Sequence, residues 1–407
     1  MTTAARGLWP WALFAAMIAA AGLPLYIHAP KLYAERYGIG LGTLGAVLGG
    51  LRLLDVVQDP ALGWIAERFR ARRGALVAGM LVVMAAGMLG LLTLAPPVAP
   101  VVWFALTMGL VTLAYSFLTI AFYAQGVDWA RSQGGAHLRL AGWREAGTLF
   151  GVSAAAVLPS VLPGGAASFG WVFVALAVAA GLAMRGAWQA SGPSEMPPGL
   201  SAFRPALADR QARWLLVAAL VNSMPVAVTS TLFLFFVEDR LELPTLSGPF
   251  LLVFFLSAAA SAPVWSRVAA GIGPRRTLMV GMALAIAAFL WAASLGPGQG
   301  VAFGVICVAS GAALGADLVL LPALFARRLG DLGNEAAGFS LWALVSKLAL
   351  ALSAATVLPA LQAQGFQPGA VNTAEALSAL SLTYAALPCV LKAAALAILW
   401  RSPIGRE

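Results

Sequence analysis

The sequence predicts an all-α membrane protein with twelve transmembrane helices in two six-helix halves. Three observations carry that prediction. Of 407 residues, 61% are hydrophobic and only 10% are charged, with a mean hydropathy of +0.88, whereas a soluble domain carries roughly a quarter of its residues as charges. Apolar runs of the ~20 residues needed to cross a bilayer recur twelve times along the chain. A polar, proline-rich stretch in the middle leaves six runs on either side. Soluble enzymes and DNA-binding proteins are excluded by this arithmetic. Two cysteines, Cys307 and Cys389, both inside apolar runs, exclude a disulfide framework and a thiolate metal site.

The spans are expected near 8–29, 41–66, 75–95, 101–127, 141–162, 169–189, 214–238, 245–269, 275–295, 300–326, 336–361 and 375–400. Breakers separate them: Pro96, Pro97 and Pro100 after the third, Pro163-Gly164-Gly165 after the fifth, Gly296-Pro297-Gly298 after the ninth. The predicted organisation is a bundle over 1–190, a linker over 191–213 containing Pro197-Pro198-Gly199 and Arg204-Pro205, and a second bundle over 214–407. A weak repeat supports two related halves. Asp59-Pro60 leads to Arg72-Arg73-Gly74 between spans two and three, as Ala262-Pro263 leads to Pro274-Arg275-Arg276 between spans eight and nine.

The formal charge of +9 is explained by topology. Eighteen of the 25 Lys and Arg residues fall in one alternating set of loops and termini, three (Lys31, Arg36, Arg240) in the opposite set, and four (Arg52, Arg144, Lys347, Lys392) inside spans. Basic residues are retained on the cytoplasmic side, so both termini are expected there, in a multi-pass protein of the inner membrane with no nucleic-acid partner. The run after Arg6 flows into Pro30-Lys31 without a small-residue cleavage site, which reads as a first span rather than a signal peptide. His28 and Lys31 read as interface anchors, and tryptophans near span ends, Trp9, Trp11, Trp103 and Trp171 among them, as an aromatic belt.

Charges within hydrocarbon are costly and mark ion or substrate pathways. The second span reads Arg52-Leu53-Leu54-Asp55-Val56-Val57-Gln58-Asp59-Pro60 and leaves the membrane near Glu67-Arg68. At 1.5 Å per residue, Asp59 lies about 12 Å and Asp55 about 18 Å inside that boundary, around the middle of a ~30 Å core. A spacing of four puts both carboxylates on one helix face, with Arg52 a turn further along. Beside Gln58, the two acids suit a coupling cation: they supply oxygen ligands to Na⁺, or share a proton because like charges so close do not both ionise readily. The competing reading is a salt-bridge network with Arg52 and Lys347.

Other buried polar residues complete the expected cavity. Tyr115, Ser116, Thr119, Tyr123 and Gln125 lie in the fourth span, and Ser116, Thr119 and Tyr123 share a face. Arg144 and Glu145 lie in the fifth span, Asp317 in the tenth and Lys347 in the eleventh. Thr119, Tyr123, Arg144 and Lys347 are assigned to a substrate cavity, and Arg52 and Glu145 to a charge network. Asp317, near Gly311 and Gly315, reads as structural.

At these residues the sequence resembles the glycoside-pentoside-hexuronide:cation symporters, the melibiose permease group of the major facilitator superfamily. The likeness rests on Arg52-xx-Asp55-xxx-Asp59-Pro60-xx-Gly63, followed by Glu67-Arg68-x-Arg70-x-Arg72-Arg73-Gly74, and more weakly on Arg144 and Lys347. It implies the major facilitator fold, Asp55 and Asp59 as cation ligands, Ser116 where the family has a threonine hydroxyl, and Gln58 where it has an asparagine. It also implies Arg144 and Lys347 in the central cavity. Where the group has two sugar-gripping acids, this chain has Ala19 and Thr119, and Tyr123 stands for a tryptophan.

The expected function is thus a monomeric secondary transporter without a cofactor, coupled to Na⁺ or H⁺, moving a sugar-like or other small organic solute by alternating access. A lysolipid-type amphipathic substrate and proton-driven export are alternatives, and direction and coupling ion stay open. From another class, Asp55-xxx-Asp59 resembles superficially the aspartate-rich motif of intramembrane prenyltransferases, which require a second acidic motif. A channel would need a filter sequence, and none is recognisable.

Overall fold

The computed structural model describes residues 7–132, 137–188, 203–332 and 335–401, and among these all regular structure is helical. Lipid dictates this, because an apolar solvent leaves no partner for a backbone amide except its own helix. In order the helices are α1 (Trp9–Tyr37), α2 (Leu41–Arg68), α3 (Arg73–Leu92), α4 (Pro100–Ser132), α5 (His137–Val161) and α6 (Ala166–Met184). A short helical turn at Arg204–Ala208 then leads into α7 (Arg210–Arg240), α8 (Ser247–Ile272), α9 (Pro274–Ala292), α10 (Gly300–Leu332), α11 (Glu335–Ala363) and α12 (Ala374–Arg401). Among the described residues, eleven of the twelve are long and apolar enough to cross a membrane. The remaining one is α5, which carries His137, Arg139, Arg144 and Glu145 in its first nine residues.

Two boundaries differ instructively from expectation. Helix α1 runs on to Tyr37 through a π-helical turn at Pro24–His28, since Pro24 has no amide hydrogen to keep the regular ladder. Helices α4 and α10, equivalent by position in the two halves, are each 33 residues long and outrun their apolar segments. Much of the expected linker, residues 189–202, lies outside the described residues, as do the side chains of Glu67 and Arg70.

The chain divides into two compact units, Met1–Tyr33 with Leu54–Pro197, and Ala34–Leu53 with Pro198–Glu407. Their internal packing repeats. In the first, α1 packs on α5 and α6, and α3 on α4 and α6; in the second, α7 packs on α11 and α12, and α9 on α10 and α12. Adding six to each helix number converts one set into the other, so the weak sequence repeat has a counterpart in packing. Small residues permit the closest approaches. A Cβ on Gly147 or Gly151 of α5 would run into the carbonyl oxygens of Ala12 or Ala16 on α1, and one on Gly311 of α10 into that of Phe254 on α8.

Arginines pin helix ends inside each unit. Arg73, only 1% exposed at the start of α3, donates to Gln125 Oε1 (2.9 Å) and pairs with Asp128 Oδ2 (3.0 Å) on α4. A cation at a helix N-terminus opposes the helix dipole, so the Asp128 carboxylate is what makes this placement tenable. Arg275, at the start of α9, donates to the Leu399 and Trp400 carbonyls at 3.0 and 2.8 Å, where the α12 C-terminus favours a positive charge. Asp209 caps α7, accepting from the Ala212 amide at 2.7 Å, and receives the Arg328 fork at 3.1 and 2.7 Å. That fork, with the capping amides adding to it against the opposing effect of burial, holds the Asp209 carboxyl below its usual range. Two sequence assignments change here. Trp11 is 4% exposed and packs on Phe122 and Trp129 rather than joining a belt, while Lys31 is 5% exposed rather than an interface anchor.

Arg73→Met should destabilise the protein by about 2 kcal/mol, the cost of stranding a part-buried carboxylate, and adding Asp128→Leu should recover most of that loss in thermal denaturation. Asp209→Ala should cost roughly 1–2 kcal/mol through the lost cap. Because the folded-state value of Asp209 is depressed, its ionic contribution is present above the unfolded value near ~4 and is lost as pH falls below it. The stability gap between wild type and Asp209→Asn should therefore narrow on acidification.

Candidate functional site

Helix α2 spans 28 residues from Leu41 to Arg68, which puts Asp55 at its midpoint, about 20 Å from either end. Helical periodicity then sorts its residues: Arg52 and Asp55 are 6% and 1% exposed, whereas Leu53, Leu54 and Val57 are exposed on the other side. Asp59, one turn on, is half-buried. Gln58 donates its amide N–H to Asp55 Oδ1 at 2.7 Å. This contact through the amide nitrogen orients the Asp55 carboxylate.

Helix α4 supplies Ser116, which is buried, then Thr119 and Tyr123 on successive turns. Thr119 Oγ1 is enclosed yet has no hydrogen-bond partner among the described residues. From α5, the Arg144 guanidinium lies over the Tyr123 ring, 4.4 Å from its centroid, a cation–π contact. Gly126 makes room for it, since a Cβ there would come within 3.3 Å of Arg144 Nη1. Arg144 Nε is likewise enclosed without a partner among the described residues. Glu145, the next residue, is exposed. Asp55, Gln58, Asp59, Ser116, Thr119, Tyr123 and Arg144 thus belong to the first unit; Arg52 and the half-buried Lys347 of α11 belong to the second.

The second unit holds a cluster that sequence reasoning did not assemble. Lys392 of α12 donates to Asn222 Oδ1 of α7 at 2.7 Å and pairs with Asp317 Oδ2 of α10. Exposure is 3%, 4% and 8% for Lys392, Asn222 and Asp317. Asp317 sits near the midpoint of α10, and its Oδ1 is enclosed without a partner among the described residues. The sequence offered only the depth of each charge in its run; the partners are 75 and 170 residues apart.

A family model described as MFS/sugar transport protein matches residues 11–406. The chain belongs to the MFS/sugar transport protein family. This member of the major facilitator superfamily is therefore a secondary transporter working by alternating access, not an enzyme, and the prenyltransferase alternative falls away. The fold agrees. The nucleoside transporter NupG superposes with a TM-score of 0.76 at 14% identity, over 96% of this chain and 98% of that one. A bacterial homologue of the human lysosomal transporter Spinster, inward-facing and unoccupied, gives 0.67 at 16% identity, over 99% and 96%. At such identities the likeness is one of fold. Comparison with curated protein sequences gave no match.

For this MFS transporter, Tyr123→Ala should lower stability by about 1 kcal/mol through the lost cation–π contact, and Tyr123→Phe should restore most of it. Glu145→Gln, at an exposed position, should stay within about 0.5 kcal/mol of wild type. Thermal denaturation of the purified protein reads out all three.

Proposed function

We propose that this transporter is a cation-coupled symporter of the melibiose permease type, binding Na⁺ or H⁺ at Asp55 and Asp59 and carrying a small, sugar-like organic solute. The observation that carries the reading is Asp55 itself, a carboxylate 1% exposed at the midpoint of a membrane helix, with a second carboxylate one turn away. Two acids at that depth have a large desolvation cost while anionic, and a bound cation lowers it. Cation binding then favours the state that accepts substrate, and coupling follows from that difference in affinity between states. In this scheme Gln58 keeps Asp55 oriented, Ser116 offers a neutral oxygen to the cation, and Thr119 Oγ1 with Arg144 Nε takes substrate polar atoms.

Arg144 also supports a second reading. A guanidinium backed by an aromatic ring, with an enclosed Nε lacking a partner among the described residues, suits a phosphate oxygen, as in a lysolipid substrate. In either case the proposed setting is a monomer in the inner membrane, with the arginine-rich loops and both termini cytoplasmic.

Proteoliposome uptake of labelled glycosides and lysolipids, with and without a Na⁺ or H⁺ gradient, separates the readings. Asp59→Asn should retain exchange down a gradient but lose accumulation against one. Undiminished accumulation by Asp59→Asn would show that the pair does not couple transport.

A further inference from the structure

In the second unit, the pair Asp317–Lys392 borders a cavity of about 30 Å³ whose polar wall is incomplete. Thr229 Oγ1 donates to the Pro225 carbonyl (3.0 Å) and Ser310 Oγ to the Ile306 carbonyl (2.7 Å), so both hydroxyls have spent their protons on backbone and turn only lone pairs to the cavity. Asp317 Oδ1 adds a third acceptor, enclosed and without a partner among the described residues. Lys392 uses two of its three N–H groups on Asn222 and Asp317, leaving one donor. Phe254 and Phe289 form apolar walls.

Charge then selects the ligand. Asp317 and Lys392 cancel each other, so a bound cation would leave one net positive charge in a low-dielectric interior and a bound anion one net negative charge, each at a large cost. A neutral hydrogen-bond donor leaves the site uncharged and satisfies the open acceptors. The volume admits a single small group, comparable to one water. Asp317 is also a carboxylate only 8% exposed, so a solute that meets it does so away from bulk water.

We infer that Asp317, held by Lys392 and Asn222, forms a substrate subsite in the second unit that accepts a hydroxyl hydrogen from one end of a neutral polyhydroxy solute. The inference rests on the proposed sugar-like substrate but not on coupling at Asp55 and Asp59. Its selectivity is against charge: the same solute carrying a carboxylate or an ammonium at that end is rejected.

The test is thermal stabilisation of the purified full-length protein by neutral monosaccharides and glycosides, each beside its uronic acid and its amino sugar. At least one neutral compound should stabilise the protein while its two charged analogues do not. Asp317→Asn should weaken that compound at least about tenfold, the worth of a hydrogen bond to a charged acceptor. If Asp317→Asn fails to fold, the paired variant Asp317→Leu with Lys392→Met removes both charges together and should fold yet show no stabilisation. Na⁺-dependent stabilisation of the Asp317 variants, measured without sugar, reads the coupling proposal separately, so failure of this subsite is distinguishable from failure of that reading. Equal stabilisation by a charged analogue, an unchanged response in the Asp317 variants, or no response to any neutral compound would each overturn the inference, the last showing that the cavity holds only water.

Discussion

A charge inside a bilayer has to be answered by a neighbour or by a ligand, and much of this structure follows from how each charge is answered. In the second unit Lys392 is met by Asp317 and Asn222, which ties α7, α10 and α12 together at mid-depth. In the first unit Arg73 is met by Asp128 and Gln125, which ties α3 to α4. The contact Gln58 makes with Asp55 is of another kind, because an amide dipole orients a carboxylate without cancelling its charge. The acidic pair on α2 is proposed as the place for a mobile cation, whereas Arg73–Asp128 reads as a fastening.

The fastenings matter because the helices themselves have little reason to associate. Lipid tails are as apolar as leucine, so close packing, a few hydrogen bonds and helix-end contacts do the work that water does for soluble proteins. Gly147 and Gly151 bring α5 against the backbone of α1, and Arg275 closes the end of α12 onto α9. The pairings of α1 with α5 and α6, and of α3 with α4 and α6, recur six helices later, and a mechanism of alternating access requires such internal contacts to last through the cycle.

The all-helical fold and the burial of Asp55 at mid-helix were legible in the sequence because both depend on quantities local to one segment: apolar length, and depth within it. The depth inferred from Glu67-Arg68 agrees with the midpoint position of Asp55 in α2. Relations between segments were not legible. Lys392 looked like an isolated charge and Asp317 like a packing residue, because nothing along the chain says that these residues, 75 apart, are donor and acceptor to one another. Arg73, Arg275 and Arg328 counted as markers of a membrane face, yet each also makes a specific bond that depends on where another helix ends. Glu145 is exposed although Arg144 is half-buried, since adjacency in sequence places the two about 100° apart around the helix.

The central claim is that Asp55 and Asp59 hold the coupling cation. Cation-dependent thermal stabilisation of the purified protein tests it most directly, with NaCl compared against choline chloride at equal ionic strength, and with mild acidification as the proton arm. The account predicts stabilisation by Na⁺ or by protons in the wild type that disappears in both Asp55→Asn and Asp59→Asn. A shift of the same size in those variants, or no response to either cation in the wild type, would contradict it.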